Sequence, residues 1–357
     1  MNERGDDAAP PTSRPLCSIV PIEVLQRYAR DPQLDAATRR SLADTVVESR
    51  RMRSLREAYR VTTLRTRAAR AGDALFAADG PSVDVYDCRN RASLPGRYVP
   101  APAASPDEAV RTVFDTTTRA ERFLRDVLGR SSIDDAGGDL VSSVHYRVRF
   151  DNCFWNGAQM VYGDGDGEIF TAFHRSADII GHELTHGVTQ HESGLVYEGE
   201  SGGLNESVSD VFGAVFNQWL AGWDAGRAEG WLIGAGAMGP RARAAGRICL
   251  RDMLQPSAAH CLAPQPDTYG ELDPAADVHD QSGVANRAFA LFARALGGKA
   301  WELALPVWYA ATTDGRLSTG ATYGEFAART VERAAERGSG PAGALRAAWA
   351  EVGVALT

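Results

Sequence analysis

"SADIIGHELTHGVTQHESG", residues 176–194, sets two histidines four apart, His182 and His186, with Glu183 directly after the first. On an α-helix that spacing is slightly more than one turn. Both imidazoles would leave one face, with Glu183 rotated about 100° to their side. The arrangement suits two ligands to one metal ion and one free carboxylate. A tetrahedral catalytic zinc also needs a third protein ligand and an open position, and this stretch supplies neither.

The chain has 357 residues, 44% hydrophobic and 24% charged, the balance of a globular protein able to bury a substantial core in one large or two ordinary domains. A formal charge of −8, with no strongly basic segment beyond the N-terminal region, argues against a nucleic-acid binder. No apolar run approaches the length of a membrane span, and "MNERGDDAAPPTSRPLCSIVP" (1–21) lacks the basic-then-apolar layout of a secretory signal. Synthesis in the cytoplasm is therefore expected, with release to the extracellular space by a non-classical route left open. Cys17, Cys88, Cys153, Cys249 and Cys261 are few, odd in number and dispersed, the usage of free thiols rather than of a disulfide scaffold.

Residues 1–16 are polar and rich in Pro and Asp, the composition of a disordered tail. Residues 20–60 then show helical periodicity through Leu25, Tyr28, Leu42, Val46 and Leu55 among many arginines: two or three short helices, too small for a core of their own. The Ala-rich passage 66–82 reads as a linker or cleavable joint. From residue 83 short alternating runs, "SVDVYDC", "LVSSVHYRVRF" and "CFWNGAQMVYGDGDGEIF", predict strands with turns at Gly163–Gly167. After residue 176 the pattern predicts helices over 177–192, 204–220, 283–296, 299–312, 323–336 and 341–352. The expected organisation is a tail, helical segment and linker over 1–70, a β-rich lobe over 71–190 ending in the His182–His186 helix, and a helical lobe over 191–357. The fold class is α+β, with that helix on the floor of a cleft between the lobes.

Glu206, in "SGGLNESVSD" (201–210), lies 20 residues after His186, with Asp210 one turn further on. The same helical logic puts Glu206 and Asp210 on one face, one able to bind metal and the other to receive an imidazole N–H. Together with "FDNCFWNGAQMVYGDGDG" (150–167) and "VHDQSGVANRAF" (278–289), in this order, the chain resembles the thermolysin-like zinc metallopeptidases over nearly all of residues 83–357. The segment "CSIVPIEVLQRY" (17–28) resembles the short propeptide of the protealysin-like branch.

The resemblance implies a two-lobed zinc endopeptidase made as a self-inhibited precursor, or zymogen, with a single catalytic zinc on His182, His186 and Glu206. Water holds the fourth position, and Glu183 takes its proton and passes it to the leaving nitrogen. Asp210, with Asn205, orients the imidazoles, and Tyr197 and His279 stabilise the oxyanion. Taken singly, those last two read as a core aromatic and a surface histidine. Relatives carry Asp, Asn, two Gly and Val before that histidine, whereas here the run is "ELDPAADVH" (271–279). Its supporting acid is Asp273 with a one-residue insertion, the preferred reading, or Asp277.

The resemblance further implies substrate binding along Asn152 and Trp155, with Arg251 on a substrate carbonyl. Phe170, Phe173, Ile179 and Leu250 form an apolar pocket for the residue after the cut, so cleavage before Leu, Phe, Ile or Val is expected. Substrates would be peptides or unfolded proteins, the inhibitor the chain's own propeptide, and the state a monomer without nucleic-acid or membrane partners. Calcium is expected to be absent: Asp178 is kept, but Asn217 and Ala235 stand where relatives place carboxylates. Cys17 reads either as a thiolate ligand that locks the precursor or as a small packed hydrophobe, and Ile22 as a plug for the pocket near Leu250. A second class of function, a catalytically weak binder of peptides, is motivated by the altered loop before His279 and by Cys153 in the substrate strand.

Overall fold

The computed structural model describes residues 17–52 and 81–357. The expected tail over 1–16, Leu55 and most of the joint over 66–82 lie outside them. Six strands form one sheet in the order β1-β5-β6-β4-β2-β3: β1 (Cys17–Ser18), β2 (Val83–Asp87), β3 (Arg97–Tyr98), β4 (Leu140–Val144), β5 (Cys153–Trp155) and β6 (Met160–Tyr162). Strands β2, β4 and β6 run parallel, and β5 runs antiparallel to β6. At the sheet edge β1 lies antiparallel to β5, with Cys17 opposite Trp155 and Ser18 opposite Phe154.

The run "LVSSVHYRVRF" is not one strand. It stops at Val144, because His145, Arg147 and Arg149 take φ values of 54°, 57° and 53°, where a ladder cannot continue. Tertiary contacts hold this conformation: Nε2 of His145 lies 3.0 Å from Asp107 and Nδ1 2.9 Å from Asp164, while the Tyr146 ring packs edge-on against Phe150 and Phe154. The turn after β6 is as expected. Gly165 (φ 72°) and Gly167 (φ 83°) adopt the left-handed conformation, and Asp166 Oδ1 accepts from the amides of Glu168, Ile169 and Phe170.

The N-terminal segment supplies α1 (Ile22–Ala29) and α2 (36–52). Ile19, Val20, Ile22, Leu25, Leu42 and Val46 are buried in the same apolar cluster as Phe170, Phe173 and Leu250, so the segment shares the core of the rest of the chain. At roughly 1.5–3 kcal/mol per buried aliphatic side chain, that packing is what orders it. Glu48 of α2 accepts from Tyr146 Oη at 2.8 Å and Arg147 Nη1 at 3.1 Å, and Ser41 donates to the Arg149 carbonyl.

The β-rich half also contains α3 (Glu108–Leu128), started by Asp107, whose carboxylate accepts from the Ala109 amide, and ended by left-handed Gly129. Beyond residue 176 come α4 (Ala177–His191), α5 (Gly199–Ala221), α6 (Pro240–Ala244), α7 (Val278–Gln281), α8 (Gly283–Leu296), α9 (Ala304–Thr312), α10 (Tyr323–Ala335) and α11 (Ser339–Glu351). All six expected helices are present; α5 begins earlier than its pattern predicts and α9 later. A two-stranded ribbon of β7 (Leu232–Ile233) and β8 (Arg251–Asp252) flanks them. Glycine decides how α4 meets α5: a Cβ on Gly213 would stand 2.3 Å from the Asp178 carbonyl oxygen, and one on Gly181 3.1 Å from Gly213 Cα. This close backbone approach brings the histidine face of α4 onto the carboxylate face of α5.

Candidate active site

Helix α4 carries His182, Glu183 and His186, and α5 carries Asn205, Glu206, Ser209 and Asp210, each less than a tenth exposed. The Nε2 atoms of His182 and His186 face each other at 3.0 Å and lie 3.4 and 3.5 Å from the two oxygens of Glu206. On the far side of each ring an acceptor fixes Nδ1: Asp210 at 2.9 Å for His182 and Asn205 at 3.0 Å for His186, the latter joined by the Ser209 hydroxyl at 3.1 Å. With Nδ1 engaged on the outer side, the Nε2 atoms of both rings point to one place, the orientation a metal requires.

Burial alone would depress both histidines, and His186 is indeed pushed down to about 4. His182 is carried up to about 10 against its burial by Asp210 and Glu206. Glu206, also opposed by burial, is held well below the usual carboxylate range by His279, His186 and His182. One added proton thus sits on the His182–His186 pair, yet Oε2 of Glu206 finds no hydrogen-bond donor. A divalent cation would replace that proton and satisfy the orphaned oxygen, so the two imidazoles and one carboxylate fit zinc. Glu183 stands beside them rather than among them; burial raises its carboxyl, and the Cys153 thiol donates to Oε1 at 3.3 Å.

Opposite the histidines, Tyr197 Oη donates to Glu206 and lies 3.3 Å from Nε2 of His279. Burial opposes the charged form of His279, but Glu206 and Asp277 raise it to about 9, so it is cationic at neutral pH. Its Nδ1 is bonded to Asp277. The preferred acid, Asp273, is therefore corrected: it sits in the exposed loop, capping the amide of Ala275 at 2.9 Å. Asp277 is the N-cap of α7, and the first turn of that helix returns the His279 ring to the capping carboxylate.

Residues 18–20, the end of β1 and the two residues after it, cross this site. The Ser18 carbonyl lies 2.6 Å from His279 Nε2, and Ile19 N donates to the Cys153 carbonyl at 3.2 Å. Arg251 Nη1 donates to the Ile19 carbonyl at 2.9 Å, while Asn152 exchanges two hydrogen bonds of 3.0 Å with the backbone of Val20. Cys17 is buried beside Tyr197 and Val278, and its sulfur lies within 4.8 Å of ligand atoms of both His186 and Glu206. Both properties expected of Cys17, packing and reach to the metal position, thus coexist. Trp155 pairs through its backbone, its indole donating to Gln190 at 3.1 Å, and Phe170, Phe173, Ile179 and Leu250 are all fully buried. Spacing alone gave no sign of Ser209, of Asn286, which donates to Asp210 at 2.8 Å, or of Gln265, which donates to the His279 carbonyl.

Family models for the thermolysin metallopeptidases match twice, the catalytic domain over residues 64–190 and the alpha-helical domain over 193–354. An extracellular metalloprotease of Pectobacterium carotovorum subsp. carotovorum is 35% identical over 354 residues, covering 96% of this chain and 97% of that protein. Protease PrtS of Photorhabdus sp. (strain Az29) is 36% identical over 265 residues, 70% of each chain. The solved structure of the precursor of protealysin, a metalloproteinase from Serratia proteamaculans, superposes with a TM-score of 0.82 at 34% identity, over 95% of this chain and all of that one. With both models matched across most of its length and relatives aligned nearly end to end, the chain belongs to the thermolysin metallopeptidase family.

Proposed function

We propose that this zinc metalloendopeptidase, made as a precursor, holds one zinc ion on His182, His186 and Glu206 and cuts peptide bonds on the N-terminal side of bulky apolar residues. Zinc, when bound, supplies the positive charge that acidifies water and polarises a peptide carbonyl. Glu183 accepts the proton of the attacking water and delivers it to the leaving nitrogen. His279, cationic through Asp277 and Glu206, and Tyr197 donate to the oxygen on which charge develops. Arg251 and Asn152 hold the peptide backbone beyond the cut, and Phe170, Phe173, Ile179 and Leu250 receive the side chain that follows it.

One observation supports this reading: the chain's own residues 18–20 lie across the site with each of their three carbonyls met by a site residue. The Ser18 carbonyl is at His279, the Ile19 carbonyl at Arg251 and Val20 at Asn152. On this reading the Ser18–Ile19 bond lies at the scissile place, and apolar Ile19, rather than the expected Ile22, at the position after it. Latency follows from this occupancy, and removal of about residues 1–70 frees the groove. The mature enzyme works as a monomer and needs no double calcium site, since Asp178 is engaged by the Ser176 hydroxyl and the Gly234 amide.

Glu183→Gln tests the chemistry. In chain freed of its N-terminal segment the variant should lose peptide hydrolysis and keep the zinc content of the truncated wild type by metal analysis. Loss of zinc along with activity would reassign Glu183 as a ligand, and a zinc-replete truncated wild type that never cuts an unfolded protein would leave only the peptide-binding reading.

A further inference from the structure

One cluster of ligating side chains among the described residues stands apart from the α4–α5 site: Cys249, His260 and Cys261, whose ligand atoms all lie within 4.8 Å of one another. Both thiols are fully buried and their sulfurs are 4.0 Å apart. The backbone sets them face to face. Cys249 and Cys261 form an isolated parallel bridge, with Leu262 N donating to the Cys249 carbonyl at 2.9 Å and Ile248 N to the His260 carbonyl at 3.0 Å. His260 covers the pair from the solvent side, its side chain 32% exposed and its Nε2 2.9 Å from Asp252 Oδ2. Asp252 is itself fixed by accepting from the amides of Leu254 and Gln255.

The sulfurs stand at the distance of a weak S–H···S contact between free thiols, and that spacing is also close to what one shared ion needs. A disulfide requires about 2.05 Å, roughly half the distance found. Two thiolates on one tetrahedral zinc, each at about 2.3 Å, stand about 3.8 Å apart. An imidazole held by a carboxylate on its other nitrogen is the usual third partner of such an ion. We propose that Cys249, Cys261 and His260 bind a second, thiophilic divalent cation of the zinc class, oriented by Asp252. On binding, each thiol loses its proton to solvent, two metal–sulfur bonds and one metal–nitrogen bond form, and a water from the exposed edge completes the coordination. No electron is transferred.

The position gives the ion a task. Cys249 precedes Leu250 and Arg251, the pocket wall and the carbonyl grip. Cys261 precedes Leu262, whose carbonyl accepts from Arg27 of the N-terminal segment at 2.6 Å. The ion would clamp together the two stretches on which that segment is held.

The test uses the full chain carrying His182→Ala, His186→Ala and Cys17→Ser, which leaves Glu206 as the one remaining named ligand of the α4–α5 site. Titrated with cobalt, this protein should bind one ion per chain with a thiolate-to-cobalt charge-transfer band in the near ultraviolet. Adding Cys249→Ser and Cys261→Ser should abolish the band. Should that pair disturb folding, His260→Ala, at a partly exposed position, should weaken cobalt binding at least tenfold with both thiols kept. No thiolate band in the starting protein, or an intact mass two hydrogens short because the thiols are joined, overturns the proposal. The outcome does not depend on whether His182 and His186 hold the catalytic ion, which the wild-type stoichiometry reports separately.

Discussion

Asp210 is shared between Arg251 and His182: its carboxylate receives Arg251 Nε at 2.8 Å and Nη2 at 2.6 Å, and lies 2.9 Å from His182 Nδ1. The residue proposed to grip substrate and the one proposed to hold metal thus depend on one buried anion, kept charged by that pair against its burial, with its pKa at about 2. Asp210→Asn should lower zinc affinity about 10–100-fold, the usual cost of losing such a partner, and raise KM because Arg251 loses its anchor. Competition with a chelator measures the first effect and steady-state kinetics the second. A change in KM alone would mean that His182 keeps its orientation without the carboxylate.

Removing either proposed oxyanion donor should reduce turnover more than it alters KM. His279→Ala and Tyr197→Phe are each expected to cost about 2–4 kcal/mol of transition-state stabilisation. Asp277→Asn should carry part of the His279 loss and Asp273→Asn none, because only Asp277 is bonded to the ring. Equal effects of the two Asn variants on kcat would contradict this division.

Latency separates two roles of Cys17. If its sulfur ligates the metal, Cys17→Ser should make the uncut precursor active. If it only packs against Tyr197 and Val278, that variant should stay latent, while Ile19→Asp, which places a charge in a fully buried position, should release the segment. Hydrolysis by the intact precursor, checked by mass spectrometry for an unprocessed N-terminus, reads both. Full activity in the uncut wild type would refute either form of inhibition.

His145, remote from the chemistry, should make stability depend on pH. Hydrogen bonding to Asp164 raises it from 6.5 to about 9 despite its burial, with Asp107 adding to the effect. A raised folded-state value means the stabilisation is complete below about pH 6.5 and fades as pH rises through about 9. After solvent screening the effect should be on the order of 1 kcal/mol. The Tm advantage of wild type over His145→Asn should therefore shrink across this window, and an advantage independent of pH would contradict the argument.

Wherever one helical turn relates the residues, the site was legible in the sequence: His182 with His186, and Glu206 with Asp210, need only the 3.6-residue period to be placed. Legibility failed where the backbone leaves that period. Asp273 and Asp277 could not be ranked by counting, because the α7 N-cap, not loop length, decides which acid meets His279. The passage through His145 to Arg149 alternates like a strand, but side-chain anchors bend it into left-handed conformations. Helix α3 was masked by the alternating runs on both sides of it, although Asp107 and Gly129 are its ordinary start and stop residues. Contacts between sheet and helix, such as Cys153 of β5 with Glu183 of α4, leave no mark in local spacing at all.

The pairing of β1 with β5 bears on what becomes of the protein after maturation. Once Cys17 and Ser18 leave, β5 is a bare sheet margin with unspent amide and carbonyl groups, and such margins template pairing with other chains. Those groups are needed to receive a peptide, so they cannot be blunted by proline or charge as natural margins usually are. On the proposed reading the N-terminal segment would guard against self-association as well as against premature hydrolysis. Processed enzyme lacking substrate should be the form most prone to aggregate, and its solubility should recover when a peptide that is not cut fills the vacated strand.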